Sequence, residues 1–305
     1  MSAAGSGGRY LLFGAGGQLG VELARAIAPL GAVRALARRD VDVGDAAAVR
    51  AAVRAARPTV VLNAAAYTAV DAAESDAERC ALVNAVAPGT IAAAAEEVGA
   101  AVVHFSTDYV FDGAARTPYR ETDPTHPLGV YGATKLAGEA AVAAASTAHL
   151  TFRLGWLYAT HGRNFLRTML RLARERDELR VVSDQVGAPT WARPVAAATA
   201  QLLAVAARAP GGATGAVRGW SGVYHLTAGG ETSWHGFAEA ILAADPGRGA
   251  HRCRAVRAIG SDEYPSAARR PSYSVLDSGR AASALGLRLP DWRRQLALAL
   301  AEGGG

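Results

Sequence analysis

Tyr131 and Lys135 stand four residues apart at the start of a helical pattern, so a phenol and an ammonium share one helix face. A nearby cation favours the phenolate, lowering the tyrosine pKa from its usual ~10 and making it a proton donor and acceptor near neutrality. Alone, a YxxxK spacing reads as an ordinary surface helix. About 25 residues upstream, Ser106-Thr107-Asp108 closes an apolar run, and Ser106 or Thr107 can donate a hydroxyl hydrogen bond to a substrate oxygen. Near the N-terminus, Gly14-Ala-Gly16-Gly17-Gln18-Leu19-Gly20 follows another apolar run and opens a helix. Its glycines at 14, 17 and 20 give GxxGxxG, since Leu19 breaks the strict GxGxxG spacing. Such a turn lets backbone N–H groups approach a pyrophosphate and aims a helix N-terminus at its charge. A glycine turn, a hydroxyl, a tyrosine and a lysine in this chain order make a hydride-transfer site fed by a nicotinamide dinucleotide.

The elements that must position these residues follow from periodicity. Apolar runs at Arg9–Phe13, Ala32–Ala37, Thr59–Leu62, Ala101–Phe105 and Leu150–Leu154 alternate with helical patterns at Gln18–Leu30, Asp45–Arg57, Asp76–Val98 and Val130–Ser146. Asp45 can cap its helix, Pro58 ends it, and Pro88 bends the next. Such alternation implies βαβ units and a parallel sheet covered on both faces. Beyond residue 155 helices dominate, interrupted by strand-like pieces at Arg180–Ser183, Gly222–Thr227 and Arg254–Ile259. The expected fold is α/β: a Rossmann-type doubly wound parallel sheet over residues 1–155, then a smaller, mostly helical C-terminal substrate-binding domain over 156–305. Part of the latter returns to the first domain. Pro210–Gly222, rich in glycine, reads as a flexible surface excursion.

The second strand ends in Leu36-Ala37-Arg38-Arg39-Asp40. An acidic residue at that position would suit the ribose of NAD, whereas an arginine welcomes a 2′-phosphate, so NADPH is the expected cofactor and NADH the alternative. Asp42 and Val43 fall where an adenine ring would lie. Asn63-Ala64-Ala65-Ala66-Tyr67 ends the third strand in small residues, which lets a ligand come close.

Composition narrows the classes. The chain has 305 residues, 50% hydrophobic and 19% charged, ordinary for a globular protein with a sizeable core. Lys+Arg number 32 against 27 Asp+Glu, a net +5 without the basic-aromatic cluster of a nucleic-acid binder. Cys80 and Cys253 form no CxxC, Met1–Gly8 is small and polar with no signal-peptide pattern, and no long apolar run suits a membrane. A cytoplasmic protein that binds neither nucleic acid nor membrane is expected. The seven histidines form no HxH or HExxH, so no metal site is expected. His104, without a GxSxG elbow, reads as a buried histidine, and Cys80 as a small core residue.

Longer motifs narrow the class further. Asn63-Ala-Ala-Ala-Tyr-Thr-Ala-Val-Asp71, Val83-Asn-Ala85, Ser106-Thr-Asp-Tyr-Val-Phe-Asp-Gly113 and Tyr131-Gly-Ala-Thr-Lys-Leu-Ala-Gly-Glu139 resemble the dTDP-4-dehydrorhamnose reductases, within the extended short-chain dehydrogenase/reductase superfamily. So do Arg153-Leu-Gly-Trp-Leu-Tyr158, Asn164-Phe165, Asp184-Gln-Val-Gly-Ala-Pro-Thr190 and Arg270-Pro271. The resemblance spans Tyr10 to about Trp292, with Thr134 where the family usually has serine. It implies NADPH-dependent reduction of the C4 ketone of a dTDP-4-keto-6-deoxyhexose, giving dTDP-L-rhamnose. It places the catalytic set on Thr107, Tyr131 and Lys135, and substrate contacts on Asp108 and Trp156. Thr68, Val70 and Asp71 line a loop expected to face substrate, Gln185 belongs to the substrate motifs, and Arg270 would grip the diphosphate unless it forms a structural ion pair. Relatives with this fold include 4-ketoreductases for other dTDP-deoxysugars and non-catalytic regulatory subunits. Intact Thr107, Tyr131 and Lys135 argue against the latter. The Ala-rich helix faces could pack internally or against a second copy in a homodimer.

Overall fold

The computed structural model describes residues 8–303, and the reading of Met1–Gly7 as a small, polar start lies outside them. The first half alternates as expected: β1 (Gly8–Phe13), α1 (Gln18–Ile27), β2 (Gly31–Leu36), α2 (Ala46–Ala56) and β3 (Val60–Asn63). It continues through α3 (Val70–Ala73), α4 (Ala77–Ala81), α5 (Ala87–Glu97), β4 (Ala101–Thr107), α6 (Val130–Ala145) and β5 (His149–Leu154). Beyond β5 come β6 (Leu157–Tyr158), α7 (Phe165–Glu175), β7 (Glu178–Val182), β8 (Val186–Gly187), β9 (Thr190–Trp191), α8 (Ala192–Ala206) and α9 (Gly212–Gly219). Then β10 (Gly222–His225) rejoins the main sheet, parallel to β5. The chain closes with β11 (Thr232–Ser233), α10 (Trp234–Ala244), β12 (Ala255–Ile259), α11 (Gly279–Leu285) and α12 (Trp292–Gly303).

The six-stranded sheet has the order β10-β5-β4-β3-β1-β2, with every adjacent pair parallel. The chain leaves β1 for β2 on one side and returns to β3 on the other, so a crevice opens where β1 and β3 end. Gly14 and Ala64 stand at that crevice. Alternation along β1 separates two cores. Tyr10 and Leu12 join one with Leu23 of α1 and Val195 of α8, while Leu11 and Phe13 join another with Val49 of α2 and Ile91 of α5. A third core gathers Tyr158, Leu166, Phe237 and Trp292 in the second half.

The helix ends obey local chemistry. Asp45 accepts from the backbone N–H groups of Ala47 and Ala48, and Arg57 closes α2 in the left-handed region ahead of Pro58. Pro88 acts one turn earlier than a simple bend: Leu82–Val86 forms a single π turn. The proline ring crowds the Asn84 carbonyl, and the helix widens there. Gly138 of α6 packs on that carbonyl, where a Cβ would stand only 2.1 Å away.

One expectation fails. Residues 212–219 of the glycine-rich stretch form α9, with Val217 fully buried in the sheet core. Thr214 donates to the Gly99 carbonyl, and Ser221 accepts from the N–H of His149. Burial of one valine face and these tethers outweigh the poor helix propensity of three glycines.

Candidate active site

The glycine turn is built for a close neighbour. Gly14 has φ +79°, and a Cβ there would lie 2.4 Å from the Ala65 nitrogen, so only glycine fits between β1 and β3. Gly20 has a packing reason of its own, because a Cβ would strike the Gly14 carbonyl at 2.1 Å. Gly17 caps α1 with no side-chain acceptor, leaving the first helical N–H groups free for an anion. The cap residue Gly17 borders a cavity of about 510 Å³ lined also by Gly14, Gly16, Arg38, Asp42, Val43 and Ala64–Tyr67. The structure thus brings together most of the dinucleotide set expected from the sequence.

Charge within this cavity favours a phosphate. Asp42 is held below the usual carboxylate range by the Gly44 N–H and by Arg79, whose guanidinium contacts it at 2.6 and 2.8 Å. That acid is already neutralised. Among the described residues Arg38 has no carboxylate within ion-pair distance, so its guanidinium remains available. Arg79 escaped the sequence reading because it looks like any helix-surface arginine.

A second cavity, about 460 Å³, shares Gly17, Ala64 and Ala66 with the first. It gathers Gln18, Leu19, Thr68, Val70, Thr107, Asp108, Tyr131, Lys135 and Trp156 as expected, and adds Tyr109, Asn164, Phe165 and Trp234. Asn164 donates to the Gln18 side chain at 2.9 Å and to the Ala159 and His161 carbonyls, tying the loop before α7 to the start of α1. Glu74 accepts from the Val130 N–H and fixes the start of α6, while Gly132 lets that helix settle on the Tyr109 carbonyl.

Lys135 is the only lysine in the chain. It is buried, and its Nζ donates to the Phe105 carbonyl at 2.6 Å. Burial lowers its pKa to about 8, against an opposing pull from the Glu139 carboxylate. Tyr131 is pushed up to about 12 by burial; the Thr107 hydroxyl favours its ionisation and Asp108 opposes it. The expected lowering of the phenol by Lys135 is therefore not what the structure shows. The ammonium is aimed at a backbone carbonyl, and the phenol stays protonated at neutral pH. Asp108 is buried and raised to about 6 by that burial; Thr107 donates to its Oδ1, and among the described residues its Oδ2 has no partner.

Behind these groups lies a buried ionic network. Glu139, one turn beyond Lys135, accepts three guanidinium contacts at 2.7, 3.0 and 3.2 Å from Arg153 and a hydrogen bond from Ser106 at 2.5 Å. Arg153 also approaches Nε2 of His225 at 3.4 Å. Burial first, and then Arg153, drop His225 to about 3, so its ring is neutral. His104 is fully buried in the middle of β4 and paired with Asn63, and Cys80 is buried against Thr134.

Gln185 and Arg270 do not line the catalytic cavity, though Arg270 lies beside Tyr109 on its wall. Gln185 donates to Ser261, and Arg270 pairs with Asp71 at 2.7 Å while bonding Ser266. Asp71 thereby ties the Val70 loop to the segment before Pro271. Local motifs marked both as substrate residues, but Gln185 finds Ser261, 76 positions away, and Arg270 finds Asp71, 199 positions away, pairings that could not be read locally.

Comparison with known proteins decides the family. The family model described as RmlD substrate binding domain matches residues 8–304. A dTDP-4-dehydrorhamnose reductase of Burkholderia thailandensis is 51% identical over 96% of this chain and 98% of its own length. The chain belongs to the dTDP-4-dehydrorhamnose reductase family. The crystal structure of the Clostridium acetobutylicum dTDP-4-dehydrorhamnose reductase superposes with a TM-score of 0.88 at 34% identity, covering 97% of this chain and 99% of that one. The Bacillus anthracis reductase, solved in complex with NADP, gives 0.87 at 31% identity with the same coverages. Both of these dTDP-4-dehydrorhamnose reductases share the Rossmann-type sheet described above. Among the described residues no helix is long and apolar enough to cross a membrane, and no three His, Cys, Asp or Glu side chains cluster to hold a metal.

Proposed function

We propose that this chain reduces the C4 ketone of dTDP-4-dehydro-L-rhamnose to dTDP-L-rhamnose with NADPH. Thr107, Tyr131 and Lys135 meet in a cavity continuous with a glycine-lined, arginine-edged cradle, and that juxtaposition carries the reading. The relatives' activity and the NADP bound to the Bacillus anthracis enzyme support it. When bound, NADPH supplies hydride. Tyr131, protonated at neutral pH, gives its proton to the C4 oxygen, and the Thr107 hydroxyl, turned from its bond to Asp108, donates a hydrogen bond to that oxygen. Lys135, whose ammonium bonds the Phe105 carbonyl, would also hold the nicotinamide ribose. Trp156, Phe165 and Trp234 exclude water from the reacting carbonyl. Purified protein mixed with NADPH and enzymatically generated dTDP-4-dehydro-L-rhamnose is expected to consume the reduced cofactor. Folded protein that leaves it untouched would refute the assignment.

Two outcomes follow from the charges. Removing the free guanidinium in Arg38→Ala is expected to raise the Kd for NADPH about ten- to a hundred-fold, the value of a charge-assisted hydrogen bond, and to leave that for NADH nearly unchanged. Titration calorimetry with both cofactors checks this. Lys135 carries its charge below about pH 8 and loses it above, so kcat/KM for NADPH is expected to fall as pH rises through that value. A Lys135→Met variant, with nothing to titrate there, should lack this limb of the pH profile.

A further inference from the structure

Trp156 combines three unusual features. Its φ of +44° lies in the left-handed region, a strained conformation for a bulky residue and one that gathers at functional sites. Gly187 presses against it so closely that a Cβ would stand 2.3 Å from its Cε2. Its indole is stacked on that of Trp234 with parallel planes and centroids 3.5 Å apart. Aromatic pairs prefer an offset or edge-to-face arrangement to such full overlap, so the pair is poised to be exchanged. Phe165 backs Trp234 from the side, at 4.6 Å between centroids.

Trp234 and Gly187 sit on one ribbon. Strands β8 and β11 pair antiparallel, with Thr232 opposite Gly187, and Trp234 directly follows β11 at the start of α10. Ser233 fixes that start by accepting from the Gly236 N–H. The ribbon therefore grips the ring of Trp156, which leads out of β5. Trp156 keeps only 9% of its surface exposed, yet both indoles line the cavity that holds Tyr131 and Thr107.

We propose that Trp234 is a sugar-selecting residue, whose indole occupies the face of Trp156 that the apolar C–H face of a bound 6-deoxyhexose takes over. Substrate binding thus exchanges one stacking partner for another. The proposal rests on the assignment of a dTDP-linked 6-deoxyhexose as substrate and adds a residue that the sequence motifs do not assign.

The test uses full-length protein labelled with 5-fluorotryptophan and saturated with NADP. Its five tryptophans give separable fluorine resonances, assigned through Trp156→Phe and Trp234→Phe variants. Adding dTDP-L-rhamnose is expected to shift the Trp156 and Trp234 resonances, whereas dTDP alone leaves them in place. Unmoved resonances with the product bound, or equal shifts with dTDP, would overturn the proposal. A Trp234→Leu variant supplies a second readout. Without an indole to displace, the ratio of product affinity to dTDP affinity should rise roughly two- to ten-fold, the equivalent of one aromatic pair. An unchanged ratio accompanied by a lower Tm would show a purely structural staple. Calorimetry separates these results from failure of the substrate assignment, in which the product would bind no more tightly than dTDP and the proposal would fall with it.

Discussion

Tyr131→Phe is expected to lower kcat by roughly 10²- to 10⁴-fold, the usual contribution of a positioned proton donor. The substitution removes one oxygen and keeps the ring, which packs edge-on against Tyr109 at 5.9 Å between centroids. NADPH affinity and thermal stability should therefore change little. The phenol is suited to the reductive direction because burial holds it protonated at neutral pH. Thr107 would remain as a hydrogen-bond donor to the C4 oxygen, and it accounts for the residual rate. Single-turnover measurement of NADPH oxidation isolates this step from product release. A loss of only a few-fold would mean that the proton comes from elsewhere. Asp108, raised to about 6 and linked to Thr107, would be the first group to replace next.

Arg153→Met is expected to cost about 3–5 kcal/mol of folding stability, because it leaves the Glu139 carboxylate buried without its cation. Both side chains are only 5% exposed, so water cannot compensate. The neutral His225 would lose a partner in the same step, and the Ser106 hydroxyl would be left as the remaining donor to the Glu139 carboxylate. Urea denaturation, followed by tryptophan fluorescence, reads the loss as a lower midpoint. The double variant Arg153→Met, Glu139→Gln should recover most of it, since two well-packed neutral side chains avoid the penalty of an unpaired charge. A single variant as stable as the parent would show that water reaches this network.

Short-range signals carried much of the fold and half of the site. The glycine turn was legible because Gly14 answers to backbone geometry set within a few residues, and the five alternating runs answer to burial on two sheet faces. Lys135 was legible by its spacing to Tyr131. Its being the only lysine among 32 basic residues sharpens the point, because an ammonium can be tuned by burial where a guanidinium cannot. What the spacing implied about electrostatics was different: a shared helix face placed the two groups together, but the Phe105 carbonyl on β4 captures the ammonium. Trp234, Arg79 and the role of Asn164 were opaque because each depends on a partner 37 to 146 positions away, or across the cavity from its own element. The helix at 212–219 was missed for the same reason, since Val217 is buried by strands that lie elsewhere in the chain.

The central claim is that hydride arrives at C4 while Tyr131 supplies the proton. Its most direct test is a reaction of the purified protein with NADPH deuterated at the transferable C4 position of the nicotinamide and dTDP-4-dehydro-L-rhamnose, followed by NMR of the sugar product. Deuterium at C4 of dTDP-L-rhamnose, at full occupancy and in a single configuration, is the expected result, with the Tyr131→Phe variant forming the same product far more slowly. Product without deuterium at C4, or consumption of NADPH with no sugar reduced, would contradict it.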